Sequence, residues 1–161
     1  MAKPKPVPEG YHSLTPYLVV KGAAKALEFY TRAFGAEELF RMPLPDGRIG
    51  HAEMRIGDSI FMLADEFPER GIRAPQGSTP VSLMIYCEDA DAVWKRSLAA
   101  GGKEQKPLQN QFYGDRSGTL VDPFGHQWTV ATHVEDVSPE EMARRMAQQK
   151  QAPARSRLAA V

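Results

Sequence analysis

Residues 15–36 read TPYLVVKGAAKALEFYTRAFGA. The first six, TPYLVV, are strand-like, rich in β-branched and aromatic side chains. In the rest, Ala23, Leu27, Tyr30 and Phe34 fall at i, i+4, i+7 and i+11, one apolar helical stripe. Gly35 stands where a helix commonly closes. The spacing predicts a strand over 15–20 followed by a helix over about 22–34. Sixty-seven residues on, the pattern returns. Residues 81–87, VSLMIYC, are strand-like, and Asp89 or Asp91 can cap a helix over about 90–100 with Trp94 and Leu98 on one face. Thr15 then matches Ser82, Val20 matches Cys87 and Leu27 matches Trp94.

Each strand–helix pair leads to a hairpin. HAEMRI, Gly57-Asp58 and SIFMLA make two strands about a two-residue turn. GTLV, Asp122-Pro123-Phe124-Gly125 and HQWTVAT repeat the arrangement around a longer turn. RMPLPDG and KPLQNQF each supply one more strand. The fold class is therefore α+β, a tandem βαβββ repeat, with module one over 12–77 and module two over 78–137. Pro4, Pro6 and Pro8 keep residues 1–11 an extended arm. Ser138 as N-cap, Pro139 at N1 and Glu141 at N3 start a short helix over 138–150. Met142 and Met146 can dock that helix, and 151–161 read as a disordered tail.

The chain has 161 residues, with twenty Lys and Arg against twenty Asp and Glu. A net charge of zero gives no general drive toward nucleic acid or anionic membrane. No apolar run reaches the roughly 18–20 residues of a membrane span, and the start lacks the apolar core of a secretory signal. The single cysteine, Cys87, excludes an internal disulfide framework and a multi-thiolate zinc site. A cytoplasmic protein is expected.

The phrases LTPYLVVKGAAKALEFYTRAFGAEE, LPDGRIGHAEMRIGDSIFMLADE and YGDRSGTLVDPFGHQWTVATHVEDVSPEEM resemble the vicinal oxygen chelate superfamily. That superfamily holds glyoxalase I, extradiol dioxygenases, and fosfomycin- and bleomycin-resistance proteins, and the likeness is to its PhnB-like branch in particular. It implies two curled mixed sheets around a cavity, and a homodimer. By the same resemblance, the metal-ligand positions of the superfamily fall on Thr15, Met62, Ser82 and Thr129. Three neutral hydroxyls and a thioether do not hold a catalytic divalent ion, so neither metal nor other cofactor is expected.

Strand alternation nominates what the cavity presents instead. Met62 faces in by resemblance. The two-residue turn pairs Ile56 with Ser59, so His51, Glu53 and Arg55 face in, while Ala52, Met54 and Ile56 pack outward. His51 and Glu53 stand about 6.5–7 Å apart at Cβ, near enough to act as a general base and its orienter. The other reading, and the favoured one without a nucleophile or metal nearby, is a polar strand end that binds ligand or water. In module two, a four-residue loop pairs Val121 with His126, setting Thr129 opposite Gly118 and Arg116 opposite Ala131. Arg116 then faces in, to fork onto an anionic group or to pair with a neighbouring carboxylate. Tyr17, Tyr86, Phe112 and Tyr113 can line the cavity or fill core. The expected ligand-binding set is Tyr17, Arg55, Tyr86, Tyr113 and Arg116. The expected function is binding of a small organic molecule, anionic if Arg116 anchors it. The alternative is a lyase or isomerase in which His51 and Glu53 move protons.

Overall fold

The computed structural model describes residues 3–151. Its first helix, α1 (Ala23–Phe34), buries Ala23, Leu27, Tyr30 and Phe34, the stripe that the spacing predicts. Gly35 ends it in the left-handed region, φ 66°, with its N–H on Thr31 O. The preceding strand is β1 (Tyr17–Val20). After α1 come β2 (Glu37–Pro43), β3 (Ile49–Ile56) and β4 (Ser59–Asp65). The second unit repeats the order: β5 (Ser82–Tyr86), α2 (Ala90–Ala99), β6 (Lys103–Asn110), β7 (Asp115–Val121) and β8 (Gln127–His133). The strands form two four-stranded mixed sheets, ordered β1-β4-β3-β2 and β5-β8-β7-β6. The β1–β4 and β5–β8 pairs are parallel and the others antiparallel. The βαβββ repeat of the sequence is the fold. No described helix is long and apolar enough to cross a membrane.

The added strands lie earlier than RMPLPDG and KPLQNQF suggest. β2 starts directly after α1, and Leu44–Gly47 is the turn, closed by Leu44 N–H on Arg48 O at 2.7 Å. All seven β2 residues are exposed, so no alternation marked the strand.

One core serves both units. Tyr30 of α1 is fully buried, and its ring meets Phe61 of β4 and Trp128 of β8 at centroid distances of 5.6 and 5.4 Å. Its hydroxyl donates to Asp122 at 2.7 Å, and Trp128 Nε1–H donates to the same carboxylate at 2.8 Å. Asp122 also accepts the backbone N–H groups of Phe124 and His126, so this buried anion has four donors. Trp94 and Trp128 both lie in the core.

The helices lie against one face of each sheet. In β3, Ala52 and Met54 are fully buried on that side, while His51, Glu53 and Arg55 stand on the opposite, open face. The third helix, α3 (Pro139–Gln151), starts as expected: Ser138 Oγ accepts Glu141 N–H at 3.2 Å. The Glu141 carboxylate does not reach back to complete a capping box. Arg144 and Arg145 take it, and their hydrogen bonds hold it down to about 2. Arg145 also grips Glu135 and Phe112 O, tying α3 to the β6–β7 hairpin. Residues 152–161 of the expected tail lie outside the described residues.

Candidate functional site

On the open face of the first sheet, the two-residue turn sets the register expected: Ile56 opposite Ser59 and Glu53 opposite Met62. β1 runs beside β4 with Tyr17 opposite Met62. Tyr17 therefore reaches across β4 to His51, its Oη hydrogen-bonded to Nδ1 at 2.8 Å. His51 Nε2–H in turn donates to Glu53 Oε1 at 3.2 Å. Phe40 of β2, opposite Glu53, stands 6.2 Å from the His51 ring. Arg55, one step further along β3, is held by Glu37 at 2.6 Å.

The arm adds a residue that strand parity did not nominate. Tyr11 turns its buried hydroxyl toward Glu53 without a close hydrogen-bond partner among the described residues. Burial first, then the Glu53 carboxylate, pushes its phenol up to about 12. In return, Tyr11 and His51 hold Glu53 below the ordinary carboxylate range, against the opposing effect of burial. Burial raises Tyr17 as well. Around neutral pH the face thus carries an ionised carboxylate and two intact phenols. Tyr11 adjoins Pro8 and Gly10 in a segment read as an extended arm, and nothing in its pattern tied it to the sheet.

The second open face differs from expectation. The connection after Val121 has five residues, Asp122–His126, and Val121 pairs with Gln127 rather than His126. One extra residue reverses the parity of β7. Thr119, not Gly118, opposes Thr129, and Arg116 opposes Thr132, not Ala131. Arg116 therefore leaves the open face and lies beside α2, where Nε and Nη2 donate to the two oxygens of Asp91 at 2.6 and 2.7 Å. The expected anion anchor is a surface ion pair. His51 and Glu53 stand on the first sheet, Arg116 and Tyr86 on the second, each hydrogen-bonded to other partners.

Parity places Asp115 and His133 where Arg116 was expected. The buried Asp115 accepts from Tyr86 O–H at 2.8 Å and from His133 Nδ1–H at 2.7 Å. The other His133 nitrogen meets Asp136 at 2.9 Å. These two carboxylates, Asp115 foremost, hold the imidazole above its ordinary value. Tyr113 rests its hydroxyl on Ser117 Oγ at 3.4 Å. Polarity could have revealed the reversal. A four-residue loop puts Leu120 on the open face and Ser117 and Thr119 against the helices, whereas Leu120 belongs in the core and is fully buried there.

The superfamily's metal positions do not fit a divalent ion. Met62 stands beside Tyr17, Thr15 Oγ1 donates to His12 O, and Thr129 is hydrogen-bonded to Thr119. Among the described residues no three His, Cys, Asp or Glu side chains are grouped as metal ligands. A groove of about 420 Å3 also runs between the sheets, lined by Tyr17, Val19, Arg73, Val81, Leu83 and His126. His126 spans it, donating from Nε2 to Val19 O at 2.9 Å.

Compared with known proteins, residues 11–130 match the profile of the Glyoxalase/Bleomycin resistance protein/Dioxygenase superfamily. The chain belongs to this superfamily. It is 40% identical over 142 residues to the uncharacterized protein Rv0887c of Mycobacterium tuberculosis, covering 85% of this chain and 84% of that one. The crystal structure of TioX from Micromonospora sp. ML1 superposes with TM-score 0.62 at 28% identity, covering 76% of this chain and 99% of that one. A PhnB protein from Bacillus cereus shares the fold at TM-score 0.61 and 21% identity, covering 75% of this chain and 99% of that one.

Proposed function

We propose that this glyoxalase-superfamily chain binds a small organic molecule on the open face of its first sheet, without a divalent metal, in a cavity completed by a second copy. The observation that carries the reading is the Tyr17–His51–Glu53 chain. These polar groups are ordered by one another and lie among half-exposed Tyr17, Phe40 and Met42. A few fixed polar groups within aromatic and apolar surface suit a planar ligand. Arg116 no longer supports an anionic one, and Arg55 is already engaged by Glu37. A cytoplasmic setting goes with the single, partly buried Cys87, whose thiol burial pushes up. A second reading, a lyase or isomerase in which His51 and Glu53 move protons, is favoured by their 3.2 Å hydrogen bond.

A thermal-shift screen of aromatic compounds tests the binding reading. A ligand at about 100 times its Kd stabilises by about 2.7 kcal/mol. Hits should lose their effect in a Tyr17→Ala, Phe40→Ala double variant and keep it after dialysis against chelator. Hits that require added metal overturn the metal-free reading. Hits that ignore the double variant but vanish in Arg73→Ala move the ligand to the groove between the sheets.

A further inference from the structure

The Tyr17–His51–Glu53 chain has a fixed hydrogen-bond direction, and that direction selects a ligand chemistry. Glu53, held ionised, offers only lone pairs. The His51 nitrogen 3.2 Å away must therefore carry the hydrogen. In its neutral form the His51 imidazole has one N–H, so its other nitrogen then presents a lone pair. Tyr17, 2.8 Å from it, is the donor that fills this lone pair. Exchanging the two ring nitrogens leaves the reasoning unchanged. Tyr17 has then spent its only hydrogen, and its oxygen meets an incoming group as an acceptor. The Tyr17 residue is 49% exposed, against 24% and 26% for the His51 and Glu53 side chains. A ligand on this face thus meets Tyr17 before His51.

We propose that Tyr17 is the ligand-contacting group and that the site takes weakly acidic hydroxyl compounds, phenols or enols, whose proton it relays to His51. This rests on the reading of the face as a binding site. In the relay the ligand O–H bond breaks and its proton bonds to Tyr17 Oη. The proton already on Tyr17 moves to His51 Nδ1. The ligand is left as an oxyanion and His51 as an imidazolium beside Glu53. No electrons change hands and the total charge is unchanged. A carboxylate ligand, already ionised and only an acceptor, meets the lone pairs of Tyr17 unfavourably. Phe40 and Met42 offer the apolar wall for the ring. The other charged or titratable groups on this face are Tyr11, against Glu53, and the Arg55–Glu37 pair. Neither places a further donor on His51.

The test uses 4-nitrophenol, whose phenolate is yellow, with the full chain at a pH below the phenol's own pKa. Wild type should bind it saturably and generate the phenolate band. Tyr17→Phe, which removes one hydroxyl from a half-exposed ring, should bind with the band reduced about tenfold, the scale of one lost charge-assisted hydrogen bond. His51→Gln should abolish the band. Glu53→Gln, which frees the tautomer while keeping the side chain's shape, should weaken it, a check that holds even if the histidine variant fails to fold. 4-Nitrobenzoate should bind at least about tenfold more weakly. Binding as neutral phenol, or a band undiminished by Tyr17→Phe, overturns the relay and leaves the binding reading standing. No saturable binding of the phenol to wild type overturns both the ligand class and the relay, while hits of other chemistry on this face would preserve the binding reading.

Discussion

Arg116 and His133 show how one residue of loop length relocates chemistry. The YGDRSG stretch offers an arginine and an aspartate in adjacent positions, and the parity of β7 decides which of them meets a ligand. Asp115 stands on the open face and Arg116 beside α2. Arg116→Ala should therefore leave ligand affinity unchanged and disturb stability only slightly, since its pair with Asp91 is exposed to solvent. Calorimetric titration with any ligand found by the screen, beside a urea melt, checks both, and a loss of affinity would return Arg116 to the site. His133 carries a pH prediction. With a carboxylate on each nitrogen it is best satisfied as an imidazolium, and its pKa is raised. A pKa raised on folding stabilises fully below the unfolded value, about 6.5 for histidine. That contribution fades as the pH climbs through the folded value. An NMR titration should place His133 above an ordinary histidine, and Asp136→Asn should bring it down. A midpoint at or below the ordinary value would mean that one carboxylate is not engaged in solution. His51 and Glu53 were legible because a Gly-Asp turn of two residues admits one register. Asp115 and His133 were not, because Asp-Pro-Phe-Gly-His closes equally well around four or five residues.

Each helix of the repeat is started by the strand that closes its own sheet. Gly22 precedes α1 and has no side chain with which to cap it. Asp65, at the end of β4, accepts the N–H groups of Gly22 and Ala23 at 2.8 and 2.9 Å, and that of Ile49 at 2.7 Å. An anion at a helix N-terminus also meets the positive end of the helix dipole. Sixty-seven residues later, Thr132 on β8 accepts Ala90 N–H at 2.9 Å and donates to Cys87 O at 2.7 Å. The repeat offset read from the strands and helices thus extends to a capping residue, although Asp and Thr share no obvious likeness in the sequence. In module two Asp89 also caps α2 locally, accepting Ala92 N–H at 3.0 Å, so Thr132 bears less of the load. Asp65→Ala should cost about 2–4 kcal/mol, because two buried N–H groups and a partly buried one lose their acceptor. Thr132→Val should cost about 1 kcal/mol. Urea denaturation ranks the two, and equal costs would contradict the division of labour between remote and local caps. The helices themselves were readable from their stripes. β2 and β6 were placed late because nearly every residue in them is exposed and no period of two survives.

The two units share a core, and beyond the arm at Tyr11 the described residues leave apolar side chains exposed on both open faces. On the first sheet, Tyr17, Phe40 and Met42 are 49%, 49% and 45% exposed, and on the second Met84 and Tyr86 are 46% and 61% exposed. Single exposed apolar side chains need no explanation, but apolar side chains gathered on two sheet faces mark surfaces that associate. The proposed second copy would bring the same apolar faces, and closed symmetric pairs are the commonest assembly of soluble chains. The core tie through Asp122 bears on which surface is used. Tyr30 and Trp128 lock α1 to the β7–β8 turn from inside, so this part of the helix side is already packed within one chain. Light scattering at micromolar concentration should therefore give twice the chain mass. Phe40→Asp or Met84→Asp should shift the mass toward the monomer while leaving far-UV dichroism unchanged, because both side chains point away from the core. Tyr30→Phe supplies the contrast: loss of its buried hydrogen bond should cost about 1–1.5 kcal/mol of stability without changing the mass of the folded protein. A monomeric wild type, or a dimer indifferent to both aspartate variants, would place the ligand cavity within one chain.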